Sequence, residues 1–125
     1  MRRSTDKLDM LTTAQLRARF YDALSIHNDV HTSHVSDPGA YIANARASLI
    51  DSLCEPFMVT ATVMAPAFPD HSEGEVLSGY CLAEKAGYWL VYTHEEDRFY
   101  CFWGPDAQSL GARGVFGSPL GCWLA

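Results

Sequence analysis

Apolar positions recur every three or four residues in the first part of the chain and every two residues from Phe57 onward, which predicts helices followed by strands. Thr12 or Thr13 is a plausible N-cap for a helix running to about His31. On it Leu16, Phe20, Ala23, Leu24, His27, Val30 and His31 fall within about 120° of one another, a core-facing stripe. Residues 1–10 read as a frayed lead-in. Asp37-Pro38 then supplies an N-cap followed by proline at the first helical position. This second helix, with Ile42, Ala45, Leu49, Ile50 and Leu53 inward, reaches about Leu53 and is stopped by Glu55-Pro56. A short loop between two helices predicts an αα-hairpin.

The alternating stretches predict strands at about 57–65, 76–84, 88–94 and 98–103, with a short last one near 114–117 or 121–124. Lys85-Ala86-Gly87 suits a tight hairpin with glycine at positive φ, and His94-Glu95-Glu96-Asp97 a second hairpin loop. The expected fold is α+β: the two helices packed on one face of a four- to five-stranded antiparallel meander, in a single domain spanning residues 1–125. This order is also compatible with cystatin-like cones and small inhibitor or immunity-type folds.

Side chains alternate across a strand, so the sheet divides into two sets. Phe57, Val59, Ala61, Val63, Leu77, Cys81, Ala83, Trp89, Val91, Phe99, Cys101 and Trp103 form an almost wholly apolar set, expected against the helices. The other set mixes hydroxyls with aromatic surface, and Thr60, Thr62, Tyr80, Tyr88, Tyr92 and Tyr100 are its candidate binding residues. A one-sided sheet normally shows cleaner polar alternation. An outer face this apolar points to a homodimer interface, a small-ligand groove or a protein partner.

Charge sharpens this picture. The net charge is −6, and it is unevenly spread. Residues 1–50 carry six basic side chains against five acidic ones, while residues 51–125 carry three against ten. That field repels phosphate backbones, so nucleic acid is not an expected partner. In a meander the first and third connections share one end of the sheet. Asp70, Glu73 and Glu75, with His71, would therefore lie near His94, Glu95, Glu96 and Asp97. Such an acidic edge is either a solvated loop pair or a docking surface for a basic protein.

Motifs that carry chemistry are scarce. His27 and His31 are spaced i, i+4 with His34 following, a weak candidate metal pair lacking the glutamate of the metalloprotease motif. His27 is the best single acid/base candidate, with Glu84 or Glu75 as its conceivable carboxylate partner. Gly111, Gly114, Gly117 and Gly121 lack the lysine and the strand-then-helix setting of a phosphate loop and read as turns. No G-x-S-x-G elbow occurs. Cys54, Cys81, Cys101 and Cys122 form no C-x-x-C pair and read as buried thiols. Without a signal peptide or an apolar run of membrane length, the expectation is a soluble cytoplasmic protein needing no cofactor and no membrane.

Three functions follow from this reading. The first is a non-enzymatic binding module, homodimeric, using the tyrosine-rich face for itself, a small molecule or a protein. The second is an acidic inhibitor or immunity-type protein docking a basic partner through residues 70–75 and 94–97. The third, an enzyme, needs an enclosed pocket beside His27.

Overall fold

Two helices come first in the computed structural model, which describes residues 11–26 and 28–125. Helix α1 spans Thr13–Leu24 and α2 spans Pro38–Asp51. Five strands follow: β1 (Leu53–Val63), β2 (Val76–Lys85), β3 (Tyr88–Thr93), β4 (Arg98–Trp103) and β5 (Leu110–Gly117), then a short helix α3 (Pro119–Trp123). The mixed α+β character is as expected. No helix among the described residues is long and apolar enough to cross a membrane.

Local chemistry sets the helix starts. Thr12 and Gln15 form a reciprocal capping box: Gln15 N–H donates to Thr12 Oγ1 (3.1 Å) and Thr12 N–H to Gln15 Oε1 (2.8 Å). Asp37 Oδ1 accepts from Ala40 N–H at 3.1 Å, with Pro38 entering the first turn. The ends differ from expectation. Helix α1 stops at Leu24 rather than His31 because Ser25, Asn28 and Asp29 are weak helix formers and Asp29 has another partner. Its carboxylate accepts from Ser118 N–H (2.9 Å) and Ser118 Oγ–H (2.6 Å) at the start of α3. Strand β1 begins at Leu53, not Phe57, and Glu55-Pro56 falls in a register shift between those residues, where a missing N–H interrupts no ladder.

The sheet is not open. It closes as β1-β2-β3-β4-β5, with β5 returning to β1. Consecutive strands pair antiparallel, as the meander predicts, while β5 pairs β1 in parallel through Ala61–Leu110, Thr62–Gly111 and Val63–Ala112. The parallel seam follows from the odd strand number, since the first and last of five alternating strands run the same way. The seam is short, pairing three residues of each strand.

This overturns the expected sidedness. Val59, Ala61, Val63, Leu77, Cys81, Trp89 and Val91, expected against the helices, fill the barrel interior together with Phe68, Tyr100, Phe102, Leu110 and Ala112. The helices instead pack on the outside of β2, β3 and β4, where Leu16, Phe20, Leu24 and Leu49 meet Leu82, Leu90, Tyr92, Phe99 and Cys101. Helix α3 touches both α1 and α2 and adds Leu120 and Cys122 to that layer.

Strand β4 is also re-faced by one residue. The 94–97 turn pairs Thr93 with Arg98, so every partner pair across β3 and β4 joins an odd number to an even one. Tyr100 and Phe102 therefore point inward beside Val91 and Trp89, and Phe99 and Cys101 point out. A slip of one residue exchanges a strand's two faces.

Candidate functional site

Two parts of the barrel surface concentrate features that packing alone does not require. One is the outer face of β1 and β2 over residues 58–64 and 76–78, which no helix among the described residues covers. Register places Thr60 beside Ser78 and Thr62 beside Val76, with Met58 beside Tyr80. Met58 is 56% exposed and Val76 63%, and Met64, just past β1, is also exposed. Thr60, Thr62 and Ser78 are open to solvent between them. None of these six side chains is charged. Tyr80 lies at the margin, its hydroxyl accepting from Leu11 N–H at 3.3 Å.

The remaining tyrosines named from the sequence do not share that wall. Tyr92 is 3% exposed and Tyr100 0%, which corrects their placement on an open face. Tyr92 is under the helices and Tyr100 inside the barrel. Tyr88 lies elsewhere, packed edge-on against Trp103 and lining an open groove of about 280 Å³ with Ala45, Lys85 and Trp123.

The second feature is the barrel mouth where the 64–75 loop meets the 94–97 turn. The structure brings Asp70, Glu75 and Glu96 together around His71. Its Nε2 is 2.8 Å from Glu96 Oε2 and its Nδ1 3.2 Å from Glu75 Oε2. Arg98 donates to both oxygens of Asp70, at 3.2 and 3.0 Å, and to Tyr100 Oη at 3.2 Å. Tyr100 in turn donates to Glu96 Oε1 at 2.6 Å, and Thr93 Oγ1 reaches the same oxygen at 3.3 Å. Beside this network Arg19 of α1 donates to Asp97 at 2.7 and 3.3 Å, and Tyr92 Oη also bonds Asp97. Glu73 and Glu95 make no hydrogen bond or ion pair among the described residues.

The electrostatics follow from these partners. Burial by itself lowers the His71 pKa, but the bonds to Glu96 and Glu75 and the charges of Glu96 and Asp70 outweigh it and raise it. Burial by itself raises Glu96, yet bonds from Tyr100 and His71 and the charges of His71 and Arg98 pull it below the usual carboxylate range. Asp97 is lowered by its bonds from Arg19 and Tyr92. Burial, then the bond to Asp97, pushes Tyr92 up to about 12, and burial likewise raises Tyr100.

Asp70, His71 and Glu96 bring ligand atoms within 4.8 Å of one another. A cation there would have to displace Arg98 from Asp70 and compete with the Tyr100 and Thr93 hydroxyls for Glu96. The arrangement is a closed ion-pair network rather than an open metal centre.

Other candidates separate from these regions. His27 lies outside the described residues, and with it the His27–His31 pair and the acid/base proposal. His31 and His34 are exposed, and His34 rests edge-on against Tyr41. The glycines of the tail have a packing reason: a Cβ at Gly117 or Gly121 would collide with the Asp29 carboxylate. All four cysteines are free thiols, three of them buried, and burial raises each of their pKa values, the wrong direction for a reactive thiolate.

Sequence reasoning found the carboxylates of the mouth but missed Arg19 and Arg98, which neutralise them. Arg98 sits at the first position of β4, beside the acidic turn, and that adjacency was the available signal. Compared with known protein families, curated proteins and solved structures, the chain matches none, so its function rests on its own geometry.

Proposed function

We propose that the protein is a non-enzymatic binding module that pairs with a second copy of itself through the outer wall of β1 and β2. What carries this reading is the uncharged, partly apolar patch of Met58, Thr60, Thr62, Met64, Val76 and Ser78 on a chain of net charge −6. Two copies repel at long range. They meet at least electrostatic cost through these side chains, none of which is a carboxylate, with Glu95 bordering Met58 and Ser78 at the margin. The patch lies on the outer face of β1 and β2 rather than along a strand edge, so association is face to face, the same patch on both partners across a two-fold axis. On this reading α1 and α2 are an αα-hairpin that covers the opposite wall. The four thiols fit a reducing compartment such as the cytoplasm.

The test is the solution mass by light scattering for the wild type, Met58→Glu and Val76→Glu. A dimer that becomes a folded monomer in either variant supports the proposal. A monomeric wild type at tens of micromolar, about the range where such contacts form, overturns it.

A docking edge for a basic protein is the second reading, favoured by Glu73 and Glu95, which stand outside the mouth network. Asp70, Glu75, Glu96 and Asp97 are engaged by Arg98, His71 and Arg19, so the edge offers fewer free charges than its sequence suggests. Binding of a basic protein that weakens steeply with salt and is lost in a Glu73→Gln, Glu95→Gln double variant would favour this reading over the first.

A further inference from the structure

The 64–75 loop is a lid. Phe68, 6% exposed, reaches from it into the barrel core, edge-on to Tyr100 with ring centroids 5.2 Å apart. Backbone bonds hold the lid's stem: Val63 N–H to Glu75 O (2.8 Å) and Gly74 N–H to Val63 O (2.9 Å). Within its tip the backbone bonds are Phe68 N–H to His71 O (3.2 Å), His71 N–H to Phe68 O (3.4 Å) and Glu75 N–H to Ser72 O (3.1 Å). The tip is fastened to the barrel by the buried Phe68 ring, with Ala67 beside it, and by polar side-chain chemistry at His71 and Asp70.

That chemistry fixes a protonation state. Both ring nitrogens of His71 face carboxylate oxygens. Glu96 is ionised, because its other oxygen already accepts from Tyr100 and Thr93. The other oxygen of Glu75 accepts from Ser72 N–H. Ionised carboxylates only accept, and a neutral imidazole has one donor and one lone pair. The neutral ring would set its lone pair against a carboxylate; only the imidazolium satisfies both sides.

We propose that His71 is held as an imidazolium that latches the 64–75 loop over the barrel mouth, and that loss of its proton loosens this lid. The groups facing the ring come from every neighbouring element. Asp70 and Glu75 lie on its own loop, with Nε2 3.9 Å from Asp70 Oδ1. Glu96 comes from the β3–β4 turn, and β4 gives Arg98, on Asp70, and Tyr100, on Glu96. Phe116 of β5 packs on Phe68.

The sign follows directly. A raised histidine pKa stabilises the closed lid fully below the unfolded value of about 6.5, and the contribution is lost as pH rises through the folded value. Glu96 and Glu75 are lowered, so their share is lost in the opposite direction, as pH falls through their folded values. The latch is tightest between those limits.

The test is NMR on the wild type and on Glu96→Gln. Imidazole ¹⁵N shifts should show His71 doubly protonated near neutral pH. Exchange protection of the Phe68, His71 and Gly74 amides, corrected for intrinsic rate and referred to the β3–β4 ladder, should fall roughly 3- to 10-fold between about pH 6 and pH 9. That size suits one or two charge-assisted bonds at a partly exposed site. In Glu96→Gln the amide oxygen still accepts from Tyr100 while the amide nitrogen donates to a neutral ring, so the pH dependence should vanish. A single-nitrogen tautomer at pH 6 overturns the proposal. So does lid protection that does not change with pH, or a Glu96→Gln lid that keeps the wild-type dependence. If that variant fails to fold, the wild-type shifts and exchange decide alone.

Discussion

The two walls of this barrel have similar strand sequences and opposite fates. Across β3 and β4, outward Leu90, Tyr92, Phe99 and Cys101 lie beneath the three helices, and all are buried. Across β1 and β2, outward Met58, Thr60, Thr62 and Val76 are solvent-exposed. The interior faces are complementary: small and branched residues on β1 and β2 meet Trp89, Tyr100 and Phe102 from the other side. Both interior faces are buried, so what decides which wall is covered is the outer set. Where it is aromatic and aliphatic it recruits helices; where it alternates methionine and valine with hydroxyls it stays bare and remains available for a partner.

The largest expected effect breaks the covered wall. Phe20→Ala or Leu49→Ala removes a side chain that is essentially fully buried between helix and barrel. Each should cost about 3–5 kcal/mol, transfer and cavity terms together. On the β1–β2 wall, Thr60→Ala should change stability by no more than about 0.5 kcal/mol at protein concentrations low enough to keep the chain monomeric. Chemical denaturation of both variants gives the comparison. Equal losses on the two walls would mean that the β1–β2 wall is covered in solution, and by a second copy if the loss depends on protein concentration.

This contrast also explains what was legible in the sequence. The strands and the β2–β3 hairpin could be read because alternation and turn chemistry are local: Ala86 and Gly87 both take positive φ (53° and 86°), as a two-residue turn of this kind requires. Closure could not be read, because the β1–β5 seam rests on three residue pairs with no local signature. The apolar excess on both faces was visible, but it has two explanations, an exposed interface or a second buried layer. For Tyr92 and Tyr100 it was the second. The four-residue turn that pairs Thr93 with Arg98 decided which face Tyr100 occupies, and turn length is among the least certain features of a hairpin read from residues alone. At the mouth, the acidic loops could be placed together from topology, whereas Arg19 had to be brought 78 positions along the chain to meet Asp97. No local pattern encodes that.

A middle-sized effect tests the mouth from inside. Tyr100→Phe keeps the ring that packs against Phe68 and deletes the hydroxyl that joins Arg98 to Glu96. The expected loss is about 1–2 kcal/mol, since a partly buried carboxylate then lacks its hydroxyl partner. Glu96 should also titrate higher, the direction opposite to its present shift. Thr60→Val, which deletes a hydroxyl open to solvent, should do neither.

The smallest effect lies at the joint between the helix layer and the barrel. Arg19 reaches from α1 to Asp97 in the β3–β4 turn, with its guanidinium 5.7 Å over the Phe99 ring. Their side chains are 32% and 60% exposed, so solvent screens the pair, and Arg19→Met should cost only about 0.5–1 kcal/mol. Its pH signature is cleaner than its size. Asp97 is lowered by Arg19 first and Tyr92 second, so its contribution is present above the unfolded value of about 3.9 and disappears as pH falls through the folded value. Wild type and Arg19→Met should therefore differ in stability at neutral pH and converge in acid, a convergence that high salt brings forward. If the gap instead persists undiminished in acid, Arg19 acts through its contact with Phe99 rather than its charge. The joint between helix and barrel would then be apolar, like the rest of the covered wall.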